Sequence, residues 1–357
     1  MKLREDKHLH VPFVQPMKYL IHSNHGIAGG HQSLHQICSA LTHTQKEACM
    51  IYPPVGHNSV VQLWKDIYDI DKFIHREDLL DEPDQVHIIP ANWGPNWYQF
   101  DDNTPSCIKI KGTNPYKSKK VMYWLGIVPW QNWDIGGLDD DVNLHHPNIG
   151  KSYHACQSQH VYDFLTNSGV IDPRTIFMLR DYTHEFYFHT DYELYCMSHK
   201  RSNIILYNAA KGIQHTQKII DLCKDLNCIF VKLQNLTREQ IRDLGRKAKI
   251  YIDFGHHPGK DRIPREMASC GCIVITGNEG TALSDIDVPV GQRKFHNIDG
   301  QYDYVSIKDQ IKMDLDNYLA GFLDEHQTRY RMNIRGEKNE VYSDVQNMVN
   351  VIQSNVL

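Results

Sequence analysis

The sequence predicts an α/β protein built from two doubly wound, Rossmann-like domains and closed by C-terminal helices. Three observations carry this. The chain opens with an apolar strand that runs into a glycine-rich turn and then a helix. From residue 203 onward, short apolar runs and helical patterns alternate as βαβαβαβ, the signature of a parallel sheet wrapped by helices. The length of 357 residues exceeds one ordinary core and suits two domains.

In the first half, Lys18-Tyr19-Leu20-Ile21-His22 reads as a strand and leads into a loop from Ser23 to Gly30. A helix from about His31 to Leu41 follows, with Leu34, Ile37, Cys38 and Leu41 at helical spacing. Apolar runs recur at 48–52, 86–89, 121–127 and 175–179, with a helical pattern at 159–165. The polar and aromatic stretch 181–202 reads as the crossing between domains, so the first domain is placed at 1–185 and the second at 186–330. In the second, strands are expected at 203–207, 228–233, 249–254 and 272–276, and helices at 214–226, at 237–248 and from Pro264 to Cys270. Thr237 and Gln240 have capping-box spacing. Helices fill 307–357, of which 331–357 is set apart as a C-terminal helix able to cross back to the first domain.

Composition removes several classes of function. A net charge of −5 argues against nucleic-acid partners, which need a surplus of Lys and Arg on one face. No apolar run approaches the ~20 residues of a membrane-spanning helix, and the opening MKLREDKHLHVPF lacks the apolar core of a secretory signal, so a cytoplasmic protein is expected. The nine cysteines include no C-x-x-C pair and are expected to be reduced and mostly buried. The 22 histidines are scattered, and neither His145-His146 nor His256-His257 has a third ligand at recognisable spacing, so no metal site is expected.

Three strand-end loops have residues suited to binding an anion or a sugar, because backbone N–H groups and helix N-termini converge at one edge of such sheets. The first, from His25 to His31, holds Gly26, Gly29 and Gly30. It lacks G-x-G-x-x-G, and Tyr52-Pro53-Pro54 stands where a dinucleotide site would have its acidic residue, so a tight turn competes with a ligand role. The second is Asn208-Ala209-Ala210-Lys211-Gly212, where a lysine beside a glycine can bring an ammonium to a diphosphate. The third and most informative runs from Asp253 to Glu266. It makes a glycine-proline turn, concentrates Lys260, Arg262 and Arg265, and enters a helix with Pro264 near its first position. Phosphates would be met there by helix N–H groups with Lys260 and Arg262, while Glu266 offers two acceptor oxygens to ribose hydroxyls.

Together these residues resemble the retaining GT-B glycosyltransferases of family four and their relatives. The likeness is densest in Pro264-Arg265-Glu266-Met267-Ala268-Ser269-Cys270-Gly271 and the apolar strand after it, spans the second domain, and reaches the first only through its opening loop. It implies two domains facing a central cleft, with a hexosyl- or pentosyltransferase moving sugar from a nucleoside-diphosphate sugar to a carbohydrate or glycoconjugate acceptor, and Lys211, Lys260 and Arg262 make a metal-independent reaction the expectation because they can neutralise the leaving diphosphate. No cofactor is implied beyond the donor itself. It further implies that Lys211 meets the donor diphosphate, that Glu266 takes the ribose, and that Asn235, Leu236 and Thr237 face the base; the residues themselves add Lys260, Arg262, Gly29 and Gly30 to the expected diphosphate site. Two departures stand out: Pro258 occupies the place of the family's first paired glutamate, and the arginine that accompanies the lysine is missing from 206–210.

Gly-Gly-His in the first loop also resembles murein glycosyltransferases, which invert, and makes His31 the candidate catalytic base because imidazole titrates near working pH. Asp139-Asp140-Asp141 has the look of a metal-binding acidic motif but reads better as a solvated turn after Gly136-Gly137. Trp93, Trp97, Trp124, Trp130 and Trp133 crowd one region and serve either packing or sugar stacking. Two rival functions remain: a nucleotide-sugar epimerase of the same architecture, and a non-catalytic nucleotide-sugar binder.

Overall fold

The computed structural model describes residues 16–24, 26, 29–53, 58–75, 79, 81–91, 117–127, 144, 149–189, 193, 200–354 and 357. Asp139 to Asp141, His145, His146, Trp93, Trp97, Trp130 and Trp133 lie outside them.

The first sheet is parallel throughout, in the order β3-β2-β1-β4-β5-β6-β7. Its strands are β1 (Lys18–His22), β2 (Glu47–Tyr52), β3 (Phe73–His75), β4 (Gln85–Pro90), β5 (Lys119–Trp124), β6 (Tyr153–Cys156) and β7 (Ile176–Met178). Helices α1 (Gly29–His43), α2 (Asn58–Tyr68) and α3 (Gln159–Asn167) accompany it. Every residue of β4 is buried, as a strand covered on both faces requires. Trp124 belongs to this packing: it is buried among Met122, Ile149 and Val161, and its indole N–H donates to His154 Nδ1 at 3.1 Å.

The second sheet, β12-β11-β10-β8-β9, is likewise parallel. It comprises β8 (Ser202–Asn208), β9 (Ile229–Leu233), β10 (Ala248–Asp253), β11 (Ile273–Gly277) and β12 (Lys294–Phe295). Around it stand α4 (Ile213–Leu222), α5 (Arg238–Lys247), α6 (Arg262–Ser269), α7 (Tyr304–Asp316) and α8 (Tyr318–Leu323). Strand alternation divides its core: Ile250 and Ile252 pack with Ile307 and Phe322 on one face, while Tyr251 packs with Met267 and Tyr330 on the other.

Helix α9 (Glu325–Gln353) joins the two halves. Its buried residues recur at three- and four-residue spacing; Tyr330 and Ile334 pack on the second sheet, and Val341, Val345, Met348 and Ile352 on the first. At 1.5 Å per residue it spans roughly 43 Å, enough to reach across both domains.

Local chemistry explains where the elements depart from the sequence pattern. Helix α1 starts at Gly29, so Gly29 and Gly30 form its first turn instead of a preceding loop. Helix α4 stops at Leu222 because Cys223 N–H bonds back to Ile219 and the Cys223 carbonyl then accepts from Leu226 N–H in a turn. Helix α6 starts at Arg262, which puts Pro264 third in the helix, still within the turn whose N–H groups have no helical partner. The capping box forms as spaced, with Thr237 Oγ1 accepting from Gln240 N–H and Gln240 Oε1 from Thr237 N–H.

Candidate functional site

The C-terminal strand ends of the two sheets enclose a cavity of about 560 Å³. From the first half, Asn24 follows β1, Gly29, Gly30, His31 and Leu34 open α1, and Leu125 and Gln157 follow β5 and β6. From the second, Asn208 ends β8 and Lys211 follows it, and residues 258–263 follow β10. Six predicted site residues therefore share one space: His31, Gly29, Gly30, Lys211, Lys260 and Arg262.

The Lys211 turn is shaped by its neighbours. Asn208 Oδ1 accepts from Ala210 N–H at 2.9 Å, and Gly212 caps α4 at φ 58°, where a side chain is disfavoured. A Cβ on Gly212 would lie 2.3 Å from the Phe254 carbonyl oxygen, so glycine lets the two strand-end loops touch. Lys211 Nζ stands 2.5 Å from Asp261 Oδ2. Behind that pair, the buried His257 places Nδ1 4.0 Å from Asp261 Oδ2 and Nε2 3.4 Å from Asp253 Oδ1. Burial alone would lower the His257 pKa, but Asp253 and then Asp261 hold it above the usual histidine range. Burial likewise pushes Asp253 up, yet His257, the Tyr251 hydroxyl and the Gly255 N–H together keep the carboxyl below its ordinary value.

Asp253, His257 and Asp261 bring their ligand atoms within 4.8 Å of one another, the one trio of potential metal ligands among the described residues. His257 thus gains the companions that linear spacing hid. The Lys211 ammonium on Asp261 already supplies the positive charge such a trio would attract.

The loop after β10 is pinned across the cleft. Ile127 N–H donates to the Pro258 carbonyl at 2.8 Å, and Lys260 N–H to Gln157 Oε1 at 3.3 Å. Only glycine fits at 259, because a Cβ there would sit 1.8 Å from the Leu125 carbonyl oxygen. Arg265, wholly buried, reaches Asp181 at 3.0 Å with one terminal nitrogen and Glu337 of α9 at 2.9 Å with the other. Lys260 Nζ pairs with the same Glu337 at 2.9 Å. Arg262 has no ion pair among the described residues and lies beside Gly29, whose Cβ position is 3.2 Å from its Nε.

Glu266, Asn235, Leu236 and Thr237 do not line this cavity. Glu266 is 6% exposed, and burial raises its carboxyl pKa, opposed by Arg262, Arg265, Arg238 and the Tyr187 hydroxyl. Asn235 is exposed at φ 56°, Leu236 packs against the core, and the Thr237 hydroxyl is occupied by its capping bond. His31 places Nδ1 3.1 Å from Ser23 Oγ, with its ring against Gly26, where a Cβ would come within 2.3 Å of Nε2. Trp64 Nε1 donates to the Gly26 carbonyl at 2.9 Å and fixes that turn. Sequence reasoning missed Asp261 as the partner of Lys211 and Glu337 as the partner of Lys260.

No family model matches the chain, and no curated protein matches it in sequence. Solved structures match it in fold. A point mutant of S. aureus TarM in complex with fondaparinux, alpha-GlcNAc-glycerol and UDP superposes with a TM-score of 0.67 at 9% identity, covering 94% of this chain and 100% of its own. A glycosyltransferase from Rickettsia africae ESF-5 gives 0.59 at 14% identity, covering 96% and 100%. The UDP-GlcNAc 2-epimerase of Neisseria meningitidis, bound to UDP-GlcNAc, gives 0.52 at 10% identity, covering 95% and 100%. The chain has the GT-B fold.

Proposed function

We propose that this protein is a glycosyltransferase that moves a hexosyl or pentosyl group from a nucleoside-diphosphate sugar to a hydroxyl of a carbohydrate or glycoconjugate. The observation that carries this reading is the convergence of Lys211, Arg262 and the α6 N-terminus on one cavity between the strand ends of two sheets. Such a place suits a diphosphate leaving group: fixed cations and helix N–H groups stabilise charge as it develops, without reorganising. In this reading Lys211 and Arg262 carry the diphosphate, and Gly29 lets the first half approach it. Lys260 contributes mainly through Glu337, which already neutralises it. Glu266 takes the ribose and Asn235 borders the base, with Leu236 and Thr237 holding that loop in shape. The reaction uses no metal or cofactor, because the two cations supply the charge.

The first-half lining, including Asn24, His31 and Leu34, faces the acceptor side. There His31 receives the acceptor proton, its ring oriented by Ser23. Thermal melting with UDP-, GDP-, ADP- and dTDP-sugars tests the donor class, since a ligand bound only by the folded state raises the melting temperature. The stabilising donor is then incubated with and without acceptor glycans. Transfer to an acceptor supports the reading; an epimerised donor without acceptor supports the epimerase function; binding without any turnover leaves a nucleotide-sugar binder.

A further inference from the structure

Asp261 is the N-cap residue of α6, yet its side chain makes no capping bond to the helix N–H groups. Aspartate at this position ordinarily accepts from the second or third helical N–H; the third residue here is Pro264, which has none, so Ile263 N–H is the capping donor left unused. Here Oδ2 instead lies 2.5 Å from Lys211 Nζ, on the lining of the cavity where the anion site is assembled. A carboxylate thus occupies the lysine that a diphosphate would need. Behind it, His257 sits between Asp253 and Asp261, with Nδ1 4.0 Å from the same Asp261 oxygen. That distance is one small side-chain rotation from a hydrogen bond.

We propose that Asp261 is a built-in competitor for the diphosphate site, and that His257 receives its carboxylate when an anion displaces it from Lys211. The inference rests on the reading of Lys211 as the diphosphate cation. In the unliganded protein Lys211 is neutralised by Asp261, so an entering diphosphate replaces one ion pair by another. Asp261 then turns to the Nδ1 proton of His257, whose other nitrogen stays against Asp253. Burial of His257 makes a lone charge there costly, and the two flanking carboxylates compensate it in both arrangements. The consequence is a weakened grip on the free diphosphate product: when it departs, Asp261 returns to Lys211 and opposes rebinding. Asp261 and His257 are positioning residues in this scheme, since they act through Lys211.

Calorimetric titration of inorganic pyrophosphate into wild type, Asp261→Asn, Asp261→Ala and Lys211→Ala, all in EDTA, tests the proposal. Both Asp261 variants are expected to bind pyrophosphate roughly tenfold more tightly than wild type, the loss of one competing charge pair plus its repulsion of the ligand. Lys211→Ala is expected to bind at least tenfold more weakly. A merely structural Asp261 would not give a gain of affinity. If both Asp261 variants match or fall below wild type while Lys211→Ala still loses affinity, the competitor role is wrong and the Lys211 reading stands. If Lys211→Ala binds like wild type, or none of the four proteins binds, the diphosphate reading falls and takes this inference with it. In a parallel EDTA-free titration, a tightening of wild type by manganese that Asp261→Asn lacks would also overturn the inference, making the carboxylate a metal ligand.

Discussion

Lys260 Nζ lies 2.9 Å from Glu337 Oε1, which ties a loop of the candidate donor site to the long C-terminal helix. Glu337 also holds Arg265 through its other oxygen and accepts from Thr183 N–H at 2.9 Å. Removing that one carboxylate leaves a fully buried guanidinium with Asp181 as its remaining carboxylate, beside the Lys260 and Asp261 carbonyls.

Glu337→Ala is therefore expected to destabilise the fold by about 3–5 kcal/mol, the range for breaking a buried ion pair from one side. Lys260→Met should cost clearly less, because Glu337 keeps Arg265. Thermal melting of the two variants decides it. Equal losses would mean that the network is not centred on Glu337.

Three buried imidazoles predict the acid response. Burial foremost lowers His35 and His154 to about 4 and His87 to about 3. The folded protein keeps them neutral below pH 6.5 while the unfolded chain takes up protons, so their contribution is intact above pH 6.5 and is lost as pH falls toward 4. Each histidine costs about 1.4 kcal/mol per pH unit within that window. Urea midpoints at pH 7, 6 and 5 should fall with increasing slope, and His87→Gln should flatten the fall. A midpoint unchanged between pH 7 and 5 would refute this account.

Glu266→Ala is expected to weaken donor binding by ~10-fold or more, the worth of hydrogen bonds to a charged group, while the variant stays folded. Titration of the stabilising nucleotide-sugar measures this. Unchanged affinity in a folded variant would remove the ribose role.

Full activity in excess EDTA is expected, since Lys211 and Arg262 supply the positive charge. A loss restored by manganese or magnesium would promote either the Asp253, His257 and Asp261 trio or Asp139 to Asp141.

The strand–loop–helix order was legible wherever apolar runs alternated cleanly with helical spacing, as from β8 to β11. So was the clustering of Lys211 and Arg262, because strand ends of a parallel sheet gather on one edge. Partnership was not legible. Asp261 sits beside Lys260 in sequence, which suggests mutual neutralisation, yet the turn sends each to a different partner: Lys211 after β8, and Glu337 on α9. The signal for Glu337 was present but easily passed over. It stands between Ile334 and Val341 on the apolar stripe of α9, where a charge demands a buried partner. Thr237 shows the reverse: its capping spacing foretold the bond that now occupies its hydroxyl.

In the proposed reaction Lys211 and Arg262 stabilise the leaving diphosphate more strongly in the transition state than in the bound donor. The most direct measurement is the single-turnover rate at saturating donor for Lys211→Ala and Arg262→Ala, beside their donor dissociation constants. Each variant is predicted to lose ~10²-fold or more in rate, with a smaller change in donor affinity. Wild-type rates in both folded variants would contradict the account and place the diphosphate elsewhere on the protein.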